Sequence, residues 1–220
     1  MKLKSYLFSV LVCLMTGIAM AQRPAPDEIK TSNGTLTIQP ILHGTLVLKW
    51  NNKVIYVDPY GGQKAFQGIE APDMILITDI HGDHMNVETL RAIETSKAVM
   101  IVPRAVADQL PEEFKQKLAV IGNGEKTSQF GIEITATPMY NLPESPDSRH
   151  VKGRGNGYIL HMGGKNIYIS GDTEDIEEMR ALKNIDVAFI CMNMPYTMDI
   201  EQAASAVLAF KPRIIYPFHY

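Results

Sequence analysis

Met74-Ile75-Leu76-Ile77-Thr78 runs without a break into Asp79-Ile80-His81-Gly82-Asp83-His84. The first five residues read as a short strand buried on both faces, because a strand with one wet face would alternate apolar and polar residues. The next six hold four potential ligands where that strand emerges into a loop, and such a loop can converge alternate side chains on one point. Two His and two Asp supply borderline nitrogen and hard oxygen donors, suited to Zn²⁺, Mn²⁺ or Fe²⁺. The plain alternative is a polar, solvated turn. Four such residues packed against an apolar strand argue against it.

Three weaker signals lie downstream. Ser170-Gly171-Asp172-Thr173 follows a strand read at Asn166–Ser170 and would place the Asp172 carboxylate at the mouth of a sheet. By itself Asp172, or Thr173, reads better as a cap for a helix over Glu174–Leu182. His219 follows a strand at Arg213–Pro217, and His150 closes Asp147-Ser148-Arg149-His150. Alone, either histidine is an ordinary surface or core residue.

The rest of the chain supplies the scaffold. Strands are read at Thr35–Gln39, Thr45–Trp50, Val54–Val57, Val99–Val102, Gly131–Pro138, Tyr158–His161 and Val187–Ile190, with Asn51-Asn52 and Gly163-Gly164 as turns. Val87–Thr95 has helical composition, and Pro103–Val120 reads as two helical pieces broken at Pro111. Ile200–Phe210 puts Ile200, Ala203, Ala204, Val207 and Leu208 on one face. Asp199 and Gln202 form its capping box, and Pro212 stops it. Strands come first, then strand and helix alternate, which fits sheets covered by helices in one domain.

The 220 residues are 45% hydrophobic and 20% charged, with net charge −3. That is globular composition, and it is too acidic for a nucleic-acid binder. Lys2 and Lys4, the apolar run Tyr6–Met20 and small residues at Ala19 and Ala21 read as a cleavable signal peptide over 1–21. Residues 22–34 then read as a flexible N-terminal tail, and 35–220 as the domain. The mature protein is expected to be periplasmic or extracellular and free of the membrane. Cys191 is the one cysteine outside the leader, so no internal disulfide is expected.

Taken together, the cluster at 79–84, the later His150, the Gly-Asp-Thr at 171–173 and the final His219 resemble the metallo-β-lactamase superfamily. His43-Gly44-Thr45, Tyr56-Val57-Asp58-Pro59, Asn156-Gly157-Tyr158 and Tyr216-Pro217-Phe218-His219-Tyr220 are similar to its small branch that includes the ascorbate-phosphate lactonase. The resemblance implies an α/β (α+β) fold, a four-layer αββα sandwich with two divalent metal ions at one edge. Zn or Mn would fill the sites, with Fe a further option. Asp79, His81 and His150 would hold one ion and Asp83, His84 and His219 the other, with Asp172 bridging. Asp58 would brace the metal loop from behind, and His43 would line the site or serve as a structural histidine.

Two departures stand out. The family usually has His where this chain has Asp79, a harder donor that adds a negative charge. His219 stands one residue from the end of the chain and is expected to sit near a fraying terminus. Tyr196, in the loop after Cys191, would meet substrate or pack in the core. Arg149, Lys152 and Arg154 read as a solvated basic loop that would attract an anionic substrate if it faced the cleft.

The resulting expectation is an exported metal-dependent hydrolase of a small molecule. A metal-bridging hydroxide, with Asp172, Asp83 and His84 as the catalytic set, would cleave an ester, lactone or phosphoester. The alternatives are a non-catalytic metal-binding or sensory scaffold, and a β-lactam hydrolase.

Overall fold

A computed structural model describes residues 23–220, so the signal-peptide reading lies outside the described residues. In the first half, β1 (Asp27–Lys30), β2 (Thr35–Leu42), β3 (Thr45–Trp50) and β4 (Lys53–Val57) pair antiparallel in chain order. β5 (Met74–Leu76), β6 (Val99–Val102) and β7 (Leu118–Val120) then add in parallel. The crossovers carry the short helices α1 (Gly62–Ala65), α2 (Val87–Ala92), α3 (Arg104–Gln109) and α4 (Glu112–Lys115). The second half repeats the plan. β8 (Lys126–Gln129), β9 (Ile132–Thr137), β10 (Gly157–Met162) and β11 (Lys165–Ile169) are antiparallel, and β12 (Val187–Cys191) and β13 (Ile214–Phe218) are parallel. Its helices are α5 (Glu177–Arg180) and α6 (Ile200–Phe210).

The two sheets face each other, and the alternation within the strands fixes which side chain goes where. Ile55, Val57, Met74 and Leu76 point into the space between the sheets, against Ile134, Tyr158 and Ile169. Val54, Tyr56, Ile75 and Ile77 point outward under Leu90, Val106, Leu110 and Phe114 of the helices. Both faces of β4 and β5 are therefore buried, which is why the run at 74–77 has no polar residue. α5 and α6 cover the other sheet, giving four layers of one domain.

Three sequence expectations are corrected. The supposed tail contains β1, whose Ile29 packs on the core. The stretch Pro103–Val120 ends in a strand, β7. On α6 the buried face is Ala203, Ala206 and Phe210, while Ile200 and Leu208 are 74% and 70% exposed. Small residues facing inward let α6 approach the sheet, and Phe210 meets Tyr168 edge-on with ring centroids 6.0 Å apart. The capping box at Asp199 and Gln202 forms as read.

One polar bond joins the sheets directly beneath the loop at 79–84. The buried Tyr158 hydroxyl of β10 donates to the Ile77 carbonyl at 2.8 Å, with the Ile101 carbonyl at 3.2 Å. Tyr158→Phe takes the donor from the Ile77 carbonyl, while the Ile101 carbonyl keeps the Ile77 amide at 3.2 Å. It is expected to destabilise the fold by about 1–3 kcal/mol, read as a lower urea midpoint with an unchanged slope.

Candidate metal centre

The site forms at one edge of the sandwich, where parallel strands of both sheets end. Asp58 follows β4 with φ of +44°, a left-handed conformation that costs energy for a residue with a Cβ. That backbone aims its carboxylate at the start of the next loop. Oδ1 accepts the Thr78 amide at 2.8 Å, and Oδ2 accepts the Thr78 hydroxyl at 2.6 Å and lies 2.8 Å from His84 Nδ1. The loop itself is pinned by the His84 and Met85 amides on the His81 carbonyl. Asn86 caps α2 through its Oδ1 and holds the Gly82 carbonyl through its Nδ2.

Asp172 occupies the centre. Its Oδ2 is 3.2 Å from His84 Nε2 and 3.2 Å from His150 Nε2, and its Oδ1 is 3.4 Å from His219 Nε2. Asp83 Oδ2 lies 3.2 Å from His219 Nε2 and 3.3 Å from His43 Nε2. Asp79 Oδ2 lies 2.7 Å from His81 Nδ1 and 3.9 Å from His150 Nε2. The ligand atoms fall into three groups, Asp79/His81/His150, His84/Asp172/His219 and His43/Asp83/His219, each within 4.8 Å, the last two sharing His219.

Charge is distributed unevenly over these groups. Burial opposes a charged His84, but Asp172 and Asp58 outweigh it and hold its pKa well above the usual imidazole value. Burial likewise opposes a charged Asp172, and His84, His150 and His219 outweigh it, keeping the carboxyl well below its usual range. His219 at its carboxylate holds Asp83 low despite partial burial. His43 shifts down, through burial and the neighbouring His219.

The donor set fits a metal on one structural observation. His81 Nδ1, His84 Nε2, His150 Nε2 and Asp172 Oδ1 are buried and face one another, and their close contacts lack the alignment of a hydrogen bond. Buried polar atoms are nearly always paired. A cluster of unpaired lone-pair donors suits an acceptor of lone pairs, such as a dication.

Residues 37–219 match the family described as the beta-lactamase superfamily domain. The chain belongs to that superfamily. A crystal structure described as a metal-dependent hydrolase, from Parabacteroides distasonis, is 40% identical with TM-score 0.80, covering 89% of this chain and 87% of that one. The UPF0173 metal-dependent hydrolase of Pyrococcus abyssi is 29% identical over 187 residues, 81% of each chain. Its counterpart in Nanoarchaeum equitans is 30% identical over 186 residues, 81% of this chain and 80% of that one.

Within this superfamily scaffold the seven expected residues and His43 all converge. Asp172 does not cap a helix: the residue before α5 is Ile176, with no side-chain cap. His219 is not frayed but 2% exposed, with its amide donating to the His43 carbonyl at 3.1 Å. Tyr196 is exposed at the rim rather than packed in the core, and the Arg149 guanidinium lies 4.5 Å from the centre of its ring. The basic loop is not uniformly solvated. Lys152 pairs with Glu144 and Glu178, and Arg154 turns inward onto Asp79.

Two participants have no role of their own in the sequence reading. Asn141 Oδ1 accepts the His150 amide at 2.8 Å and lies 3.1 Å from His150 Nδ1, which turns Nε2 toward Asp172. Its Nδ2 holds the Tyr196 carbonyl at 2.8 Å, so one amide sets both a candidate ligand and the rim loop. Gly44 is the second. A Cβ there would sit 2.9 Å from His219 Cδ2. Gly44→Ala is expected to push His219 out of line and weaken metal binding by about tenfold or more, the scale of a disturbed ligand support. Titration with Zn²⁺ beside a circular-dichroism spectrum checks this; an unchanged affinity would show that the ring has room to move.

Proposed function

We propose that the chain is an exported metal-dependent hydrolase that cleaves an ester, lactone or phosphoester bond in a small molecule. The observation that carries the reading is Asp172, buried between three imidazoles from three separate loops. Membership of the superfamily and the hydrolase relatives support the class. The apolar leader supports export.

Asp79, His81 and His150 would hold one dication and Asp83, His84 and His219 the other, with Asp172 between them, and Zn or Mn suits this mixture of donors. Bound there, such ions bring a water toward a pKa of ~7 and polarise an acceptor oxygen. The chain's own groups do the rest. Asp172 is held as a carboxylate by its imidazole neighbours and accepts a hydrogen bond from the attacking water, fixing its line of approach. Asp58 and Asn141 fix the ring orientations of His84 and His150, a support that governs how well ligands converge. At the rim, Arg149 over the Tyr196 ring offers a cation and a hydroxyl to an anionic or oxygen-rich substrate.

The test is a screen of the purified Zn²⁺- and Mn²⁺-loaded chain on lactones, phosphodiesters and β-lactams. Turnover is expected with one of the first two classes. Asp172→Asn should lower kcat by about a hundredfold or more and lower metal content. Full turnover in that variant would remove Asp172 from the reaction. Metal uptake without turnover on any class would favour a binding or sensory scaffold.

A further inference from the structure

Among the described residues, Asp79 is the one carboxylate of the cluster that is paired with an arginine. The carboxylate is fully buried. Arg154 reaches it with both arms of its fork: Nε donates to Oδ1 at 3.1 Å and Nη2 to Oδ2 at 2.9 Å. The same Nη2 also donates to the Arg149 carbonyl at 2.5 Å, which fixes the guanidinium in place. Such a two-pronged pair is the strongest ordinary arrangement of these two groups.

The pair changes the first subsite in two ways. A carboxylate offers about four lone-pair positions; Arg154 takes two, and His81 Nδ1 stands 2.7 Å from Oδ2. The charge is also cancelled, because Asp79 is the carboxylate that belongs to that subsite alone, Asp172 being shared with the other, and a permanent cation lies against it. His150 Nε2 sits closer to Asp172 Oδ2, at 3.2 Å, than to Asp79 Oδ2, at 3.9 Å. The second subsite is the opposite case. Asp83 and Asp172 both face it, and among the described residues their ion-pair partners are histidines alone.

We propose that Arg154, by occupying Asp79, makes the two subsites unequal: the chain takes one dication tightly at Asp83, His84, Asp172 and His219, and a second only weakly at His81, His150 and Asp79. This rests on the two-subsite reading above, but it concerns affinity and not turnover. A unit charge about 5 Å from a dication, at an effective dielectric of about 40 for a site open to water on one side, corresponds to a difference of about a hundredfold in affinity.

The experiment is a titration of the chelator-stripped full chain with Mn²⁺, following free ion by electron paramagnetic resonance, and with Zn²⁺ by calorimetry. Wild type should bind one equivalent tightly and a second about a hundredfold more weakly. Arg154→Met should tighten the weak equivalent at least tenfold and leave the tight one unchanged. Arg154→Lys, which keeps the charge, should stay close to wild type. Asp83→Asn should weaken the tight equivalent. Because Arg154→Met buries an unpaired carboxylate, Asp79→His/Arg154→Met is measured beside it and should bind two equivalents tightly. Two equal equivalents in wild type, or a tight equivalent untouched by Asp83→Asn, would overturn the assignment. So would a double variant that still binds its second ion weakly. No substrate enters the titration, so failure of the hydrolysis screen leaves this result standing, and equal sites in an active enzyme would reject this inference alone.

Discussion

The Asp58 carboxylate joins three parts of the molecule that would otherwise be independent. It ends β4, bonds the amide and hydroxyl of Thr78 at the end of β5, and meets His84 in the loop beyond. Each contact is buried, and each depends on the left-handed turn at Asp58. A residue that relaxed into the ordinary extended region would swing the carboxylate away from Thr78 and free the His84 ring. The strain is tolerable because two neutral donors and one imidazole compensate it, and hydrogen bonds to a charged group are the stronger kind. In this way the core dictates the site: the register of β4 against β5, set by apolar packing on both faces, places Asp58 beside Thr78.

The two halves of the chain reach the same edge by the same route. Each begins as an antiparallel meander and changes to parallel pairing, and it is the parallel strands that share a direction and end together. β4 and β5 deliver Asp58 and the 79–84 loop, β11 delivers Asp172, and β13 delivers His219. Turns between antiparallel strands add His43 and His150. Gly171, with φ of +60°, lets the chain leave β11 sharply enough to turn Asp172 into the cluster. A side chain there would strike Met139 Sδ at 2.6 Å. Convergence thus follows from topology plus a few special backbone positions, and not from any one loop.

This explains what the sequence disclosed. Strands buried on both faces, such as Met74–Leu76 and Val187–Cys191, are uninterrupted apolar runs and were legible, as was the ligand-rich loop that follows the first. α6 was legible as a helix because its cap and period are strong, but its inward face was not. Two apolar stripes fit the same period, and the choice between them rests on how close the helix must come to the sheet. β8, with Lys126-Thr127-Ser128-Gln129, is a polar edge strand whose pairing comes from β9 and not from its own composition. Asp172 was ambiguous because a strand-end aspartate serves equally well as a cap until the other imidazoles arrive. Asn141 and Arg154 act across 9 and 75 residues respectively, through contacts that no local spacing encodes.

Four carboxylates crowd this edge, and their partners decide what the edge attracts. Asp58 is matched by His84 and the Thr78 donors, and Asp79 by Arg154. Asp83 and Asp172 have imidazoles alone, which can give up a proton and turn a lone pair to a metal, as a guanidinium cannot. Imidazole is therefore an exchangeable partner and arginine a fixed one. The electrostatic demand for a cation is concentrated where the carboxylates are held only by exchangeable groups. The partnerless buried nitrogens cost folding energy on their own, and a bound ion returns it, since binding to a site formed only in the folded chain adds to its stability. The scaffold supports such a site because the apolar layers on either side supply stability that the site does not.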